Sequence, residues 1–384
     1  METHKQAIKI CLLLREEGYV AYFAGGWVRD WLLGHPSSDI DIATDAPLPV
    51  LLDLFPRTVL VGMAFGVVIV QMEGHAFEVA IFRKDISYSD GRKPDRIEPS
   101  SPEEDAKRRD FTINGLFYDP LEDKLWDYVG GQEDLQRGVI RAIGDPWERF
   151  SEDRLRMIRA IRFSARFGFH IDPETEEAIK ENAPTLFPAV AAERVYQEFS
   201  KMEASPHFGQ AIIDLFRLGL LGEIFPSLKS RHLKDVKATL THMQSDIPMI
   251  VKLRELVKDP QELSLLKISA KERELIEFLD KTEKDFLEGR YKTSADWARF
   301  YAHPLSPIAL KLYGKGEEHT RRQEQLASHI RRLQEKKPLV QASHLKARGI
   351  PAGKEMGQLL KRAEEIAINQ NLEDPERVLK ELIP

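Results

Sequence analysis

Gly25-Gly26-Trp27-Val28-Arg29-Asp30 and, shortly after it, Asp39-Ile40-Asp41-Ile42 are the two stretches whose reading decides the fold of this 384-residue chain. Val20–Ala24, just upstream, is apolar and reads as a strand. The glycine pair then turns the chain into a helix that Gly34 stops. Asp39–Ala43 alternates as a second strand. Period two puts the carboxylates of Asp39 and Asp41 on one face and sends Ile40 and Ile42 to the opposite, buried face. Two carboxylates side by side repel unless a cation stands between them. A hard divalent ion such as Mg²⁺, completed by substrate phosphates, is the natural occupant. Gly25 and Gly26 let backbone N–H groups approach a phosphate at the start of a helix, and Arg29 on its first turn can pair with the anion. Taken singly, a glycine pair is also a plain tight turn, and two strand-edge aspartates are also merely solvated. Their combination points to phosphate and metal chemistry.

Outward from these stretches, the first 145 or so residues mix strand and helix. Lys5–Glu16 reads as a helix ended at Gly18. Thr58–Val61 and Val67–Gln71 read as two buried strands joined by a glycine turn, and Ala76–Phe82 as another strand. Arg83–Pro102 is polar and rich in Gly, Pro, Asp and Ser, which reads as a long loop. Beyond Pro146 the strand signals fade. A helix starts near Glu152 and runs to about Phe167, Asp172-Pro173 caps and opens another, and periodicity recurs at Glu193–Met202 and Phe208–Leu218. The expected fold is an α/β N-terminal head, a small mixed sheet with helices, followed by an all-α neck, body and tail. The boundaries are 1–145, 146–202, 203–340 and 341–384.

Composition narrows the function class. With 42% hydrophobic and 31% charged residues the chain can bury a real core. Cys11 is the only cysteine, so an intrachain disulfide and a cysteine-built zinc site are excluded. The longest apolar stretch, Val59–Val70, is far short of the roughly 20 residues that span a bilayer as a helix. No membrane association is expected, and a cytoplasmic location is. The formal net charge of −6 taken alone disfavours a polyanionic partner, but charge is unevenly spread: Arg149–His170 holds six arginines and only two acids. On a helix from Glu152, Arg156, Arg159, Arg162 and Arg166 share one broad face, with Met157, Ile158, Ile161 and Ala165 opposite. Asp153 borders the arginine face one turn from Arg156, where an ordinary surface salt bridge would also account for the pair.

The motifs resemble those of class II nucleotidyltransferases of the polymerase-β superfamily, the family of tRNA CCA-adding enzymes and bacterial poly(A) polymerases. Gly25-Gly26-x-Val28-Arg29-Asp30 with Asp39-Ile40-Asp41 is similar to the family's head signature, and Arg108-Arg109-Asp110-Phe111-Thr112-Ile113-Asn114 to its second. Glu152-Asp153-x-x-Arg156, continuing through Arg159, Arg162 and Arg166, resembles the third, and Glu193-Arg194 a weaker fourth. Together they span about residues 23–201, in order.

The resemblance implies the chemistry. Asp39 and Asp41 would hold two Mg²⁺ ions, with Glu78 a candidate third carboxylate that reads equally well as a solvated strand residue. Gly25, Gly26, Arg29, Arg109, Asp110, Asp153, Arg156, Arg159 and Arg162 would bind the nucleotide. Asp153 and Arg156 would read the base edge. A carboxylate accepts from the exocyclic amine of cytosine or adenine while a guanidinium donates to the adjacent ring nitrogen; uracil and guanine invert both bonds. The implied reaction is untemplated addition of C, C and A to the tRNA 3′ end from CTP and ATP. Poly(A) addition and addition of A alone stay open as alternatives. The Arg83–Pro102 loop matches the position of a flexible loop in relatives that finish CCA with adenosine. Ser343–Gly349 and the turn into Lys354 resemble the family's tail, implying RNA backbone contacts at Lys346, Arg348 and Lys354; an ordinary helical hairpin is the alternative. No protein partner is inferred. None of the eleven histidines precedes an aspartate, so no second, His-Asp catalytic site is expected.

Overall fold

The structure is a computed structural model and describes residues 2–35, 37–62, 66–88, 94–243, 246–314 and 316–383. The chain divides into two compact units, residues 1–240 with 256–267, and residues 241–255 with 268–384.

The first unit is built on a seven-stranded mixed sheet. Its strands are β1 (Ala21–Ala24), β2 (Asp41–Thr44), β3 (Thr58–Gly62), β4 (Val67–Met72), β5 (His75–Ile81), β8 (Leu116–Asp119) and β9 (Lys124–Asp127), in the order β3-β4-β5-β2-β1-β8-β9. β2 and β5 run parallel and the other neighbours antiparallel. β1 is central and buried on both faces, which explains its continuous apolar run. Ala21 and Phe23 join Ile42, Val70 and Phe77 in a core with helices α1 (Glu2–Glu16), α2 (Gly26–Leu32) and α3 (Leu48–Leu54). Tyr22 and Ala24 pack on the other face with Ala43, Phe82 and Phe117, against Ala106 of α4 (Pro102–Lys107).

Several sequence expectations need correction. β2 begins at Asp41, paired with Ala24, so Asp39 lies in the exposed segment just ahead of the strand. Ile40 and Ile42 are buried as the alternation predicts. β3 is not buried: it is the sheet edge, with Val59 47% and Leu60 49% exposed, because only β4 flanks it. The glycine turn expected between the two falls on residues 63–65, which lie outside the described residues. Arg83–Pro102 is not a structureless loop. Its stems pair as an antiparallel hairpin, β6 (Arg83–Ile86) with β7 (Arg96–Pro99), and Ser101 then caps α4. Residues 89–93 of that stretch also lie outside the described residues. β8 and β9, four residues each, are too short for alternation to reveal.

α5 (Gly131–Arg137) leads to the neck. There the expected single helix is two: α6 (Pro146–Glu152), capped by Asp145, and α7 (Leu155–Phe167). Asp153 is extended between them (φ −145, ψ 106), and its carboxylate accepts from the Leu155 N–H at 3.0 Å, a local bond that competes with helix continuation. α8 (Pro173–Asn182), α9 (Leu186–Ala189), α10 (Ala192–Glu203) and α11 (Phe208–Arg217) follow. One short strand interrupts this helical region: His170–Ile171 pairs with Val139–Ile140 of the head.

The second unit is helical among the described residues. One core gathers Val340, Leu345, Met356, Ala363, Val378 and Leu379. Elsewhere in it the buried Arg254 is surrounded by Glu255, Asp280, Glu283 and Tyr313. Helix Ala342–Lys346 ends three residues before Gly349, whose φ of 82 completes the turn, and the next helix is Lys354–Asn369. Among the described residues no helix is long and apolar enough to cross a membrane.

Candidate active site

A cleft of about 480 Å³ where head and neck meet is lined by eight arginines and three aspartates. Its head side carries Gly25, Gly26, Arg29, Asp41, Arg109, Asp110 and Asn114; its neck side carries Asp153, Arg156, Arg159, Arg162, Arg166 and Arg194. Every residue expected to bind nucleotide therefore borders one cavity.

Gly25 holds φ 62 and ψ −122, a conformation that only glycine adopts readily, and a Cβ there would lie 2.7 Å from Arg109 Nη1. The glycine thus serves both the turn and the close approach of a cation. Arg109 and Arg108 are themselves oriented by the buried Asp105, at 3.0 and 2.7 Å. That i, i+3 and i+4 spacing on α4 was a readable signal that sequence analysis passed over.

Asp41 projects from the start of β2. It stands one residue before the Ile42–Val79 pair on its strand, as Glu78 does on β5. Burial, then the negative charges of Glu78 and Asp39, push its carboxyl up to about 6, against the opposing pull of Arg109. A carboxylate crowded by two other acids suits a divalent cation. Among the described residues no group of three or more His, Cys, Asp or Glu is arranged to hold a metal ion unaided. A Mg²⁺ ion held here would rest on one or two of these carboxylates, with waters and substrate phosphates completing its shell.

Asp110 binds the head to the neck. Its Oδ1 accepts from Asn114 Nδ2 at 2.9 Å, and its Oδ2 from Arg159 Nε at 2.9 Å and Nη2 at 2.5 Å. Burial alone would raise its pKa, but Arg159, Asn114 and Arg156 outweigh that and hold the carboxyl well below the usual carboxylate range. Asn114 also links to the glycine turn's helix: its Oδ1 accepts from Arg29 Nη1 at 2.5 Å. Arg29 is 3% exposed and paired with Asp30, so it supports the cleft floor more than it reaches into the cavity.

The third motif departs from expectation in its pairing. Asp153 is bound by Arg194 of α10 at 2.9 Å, not by Arg156, because the break between α6 and α7 takes it off the arginine face. Arg156 pairs with Glu152 and donates to the carbonyls of Arg149 and Arg108 at 3.0 and 3.3 Å. Arg162 pairs with Glu198 at 2.5 Å. In the second unit Lys346 and Lys354 are exposed, while Arg348 pairs with Glu376 at 2.7 Å.

A mixed sheet with an acid at the head of a central strand, a glycine turn beside it and an arginine-lined cleft defines a nucleotidyltransferase-type catalytic head. Residues 21–141 match the poly A polymerase head domain, and residues 168–231 the probable RNA and SrmB-binding site of polymerase A. The chain is 42% identical over 217 residues to the CCA-adding enzyme of Geobacillus stearothermophilus, a match covering 56% of this chain and 53% of that one. It is 38% identical over 259 residues to that of Bacillus licheniformis, covering 63% and 65%. These matches span only about half to two thirds of the curated relatives' length. The solved CCA-adding enzyme of Bacillus stearothermophilus, in complex with CTP, aligns with a TM-score of 0.78 at 28% identity over 99% of this chain and 98% of that one. Residues 21–141 and 168–231 thus carry the head and RNA-binding regions of the poly A polymerase family models, and the relatives they resemble are CCA-adding enzymes.

Because Asp110 is ionised only by virtue of its partners, it contributes stability above its unfolded pKa of about 4, and that contribution drains away as pH falls toward its lower folded value. Asp110→Asn should therefore lower stability near pH 7 by about 2–3 kcal/mol, since hydrogen bonds to charged groups are worth about that much. The gap from wild type should begin to narrow below about pH 4 and go on narrowing as the pH falls. Urea unfolding between pH 3 and 7 checks both; a pH-independent gap would contradict the assignment.

Proposed function

We propose that this chain adds C, C and A to the 3′ end of tRNA from CTP and ATP without a nucleic-acid template, in the cytoplasm. The observation that carries the reading is the meeting in one cleft of Asp41 with the Asp153 and Arg156 side chains, amid arginines able to take a triphosphate. The resemblance to CCA-adding enzymes, one of them solved with CTP, supports it.

The 3′-hydroxyl oxygen of the RNA attacks the α-phosphorus of the nucleotide. The new P–O bond forms as the α–β bridge breaks, and pyrophosphate leaves. Bound Mg²⁺, two ions in this reading, would lower the pKa of the hydroxyl and neutralise the triphosphate. Asp39 and Asp41 would hold the metal, with Glu78 beside them. Arg109 and its neighbours orient the phosphates, and the Gly25 turn leaves room for them to approach.

Selection of the base falls to Asp153 and Arg156. Arg194 fixes the Asp153 carboxylate yet leaves it lone pairs, and Arg156 keeps N–H groups beyond those given to Glu152 and the two carbonyls. Cytosine and adenine satisfy both groups. Uracil and guanine leave buried polar atoms unpaired, at about 1–3 kcal/mol each. The β6–β7 hairpin reaches the cleft wall: Tyr88 donates to Asp85 at 2.7 Å, and Asp85 lies 3.9 Å from Arg108, which lines the cavity. We read this hairpin as the lever that reshapes the pocket between the C and A steps.

The family match to poly(A) polymerase heads favours a second reading, addition of A tracts. Incubation with Mg²⁺, CTP, ATP and tRNA lacking its 3′ end, followed by sequencing of the product, separates the two: CCA is expected, whereas an A tract, or A alone, would replace the first reading. In the same assay Asp39→Asn and Asp41→Asn should each lower transfer by at least about 10³-fold, metal-held charge supplying several kcal/mol of the rate. Asp153→Ala should cut the preference for CTP over UTP by about 10–100-fold; an unchanged preference would remove Asp153 from base selection. Replacing residues 88–94 by a short glycine linker should arrest synthesis after CC, and complete CCA from that variant would end the lever reading.

A further inference from the structure

Under the cleft, side chains of the head and of α7 close a ring. Arg166 Nη2 donates to Asp30 Oδ2 at 2.8 Å, and Asp30 Oδ1 accepts from Arg29 Nε at 2.8 Å. From Arg29 the circuit runs through Asn114 and Asp110 to Arg159 by the bonds described above. Arg159 and Arg166 lie two turns apart on one face of α7, so the helix itself completes the ring. Within it the Arg29 guanidinium sits 5.1 and 4.9 Å from the ring centroids of Phe163 and Phe167, which are stacked nearly parallel.

A single contact would let a helix pivot. Two contacts seven residues apart, about 10 Å along the axis at 1.5 Å per residue, fix its direction. Asp110 supplies the first contact. Asp30 supplies the second, and it also separates the like charges of Arg29 and Arg166, which oppose one another. Asp30 is 6% exposed and does not border the cavity, so it does not touch a bound nucleotide.

We infer that Asp30 is a positioning residue for nucleotidyl transfer: by holding Arg166 it seats α7 against the glycine turn, keeping Asp153 and Arg156 in register with Asp41. The inference rests on the reaction proposed above. Misplacement by about 1 Å costs roughly 10²-fold in rate. Asp30→Asn should therefore lower kcat for CMP transfer by about 10–100-fold, leave KM for CTP within about threefold, and raise UMP misincorporation about tenfold.

Arg166→Gln, at a side chain 46% exposed and so safe for folding, should produce a smaller change of the same pattern. Added to Asp30→Asn it should change kcat by less than about twofold, because both changes break one contact. Multiplying effects, a raised KM with unchanged kcat, or unaltered C-over-U preference would overturn the inference. Pulsed electron-resonance distances between spin labels on α1 and α8, in a Cys11→Ala background, give a readout independent of catalysis. The distribution should broaden in Asp30→Asn, and an unchanged distribution would refute the positioning role. If the wild type transfers no nucleotide, the proposed reaction fails, while this distance measurement still decides the fate of Asp30.

Discussion

A carboxylate buried where two layers of the protein meet cannot be left half satisfied, and Asp110 is that carboxylate. Removed from water without partners, an ionised acid costs several kcal/mol. Its two oxygens draw Asn114 from the short turn after α4 and Arg159 from the middle of α7, so the head and the neck are joined by the demand of one group. The arrangement of the cleft follows: with Arg159 committed to the floor, Arg156 at one end of the helix and Arg166 at the other take fixed places along its length.

Charge in this region is balanced locally. The cleft arginines are interleaved with Asp30, Asp105, Asp110, Glu152, Asp153 and Glu198, each in contact with at least one of them. The acids offset mutual repulsion among the guanidiniums of the cavity and fix their directions, while N–H groups remain for an anionic ligand. A chain whose formal charge is −6 thereby presents a strongly cationic cavity beside a small cluster of carboxylates.

Much of this was legible beforehand, and for identifiable reasons. The turn at Gly25 follows from glycine's access to positive φ, and the inward alternation of Ile40 and Ile42 and the arginine face of α7 follow periods of two and 3.6 residues. Those survive in the sequence. Elements that escaped were short or irregular: β8 and β9 are too brief for a period to show, and the β6–β7 stems are polar because their hairpin carries little core. The exposure of Val59 and Leu60 could not be read either, since an apolar strand looks the same at the middle of a sheet and at its edge.

Local spacing, with the family motifs it forms, therefore pointed to the residues proposed here for the phosphate, metal and base chemistry, because spacing along one strand or one helix places side chains on a common face. The partners of those residues were decided by the tertiary structure. Asp153 meets Arg194 rather than its helical neighbour, Arg29 turns to Asn114, and Arg166 reaches Asp30 across 136 positions of sequence. The physical reason is common to all three: a buried charge takes whichever counter-charge the packing of sheet and helix brings within hydrogen-bond distance, and no spacing rule spans the chain to say which that will be.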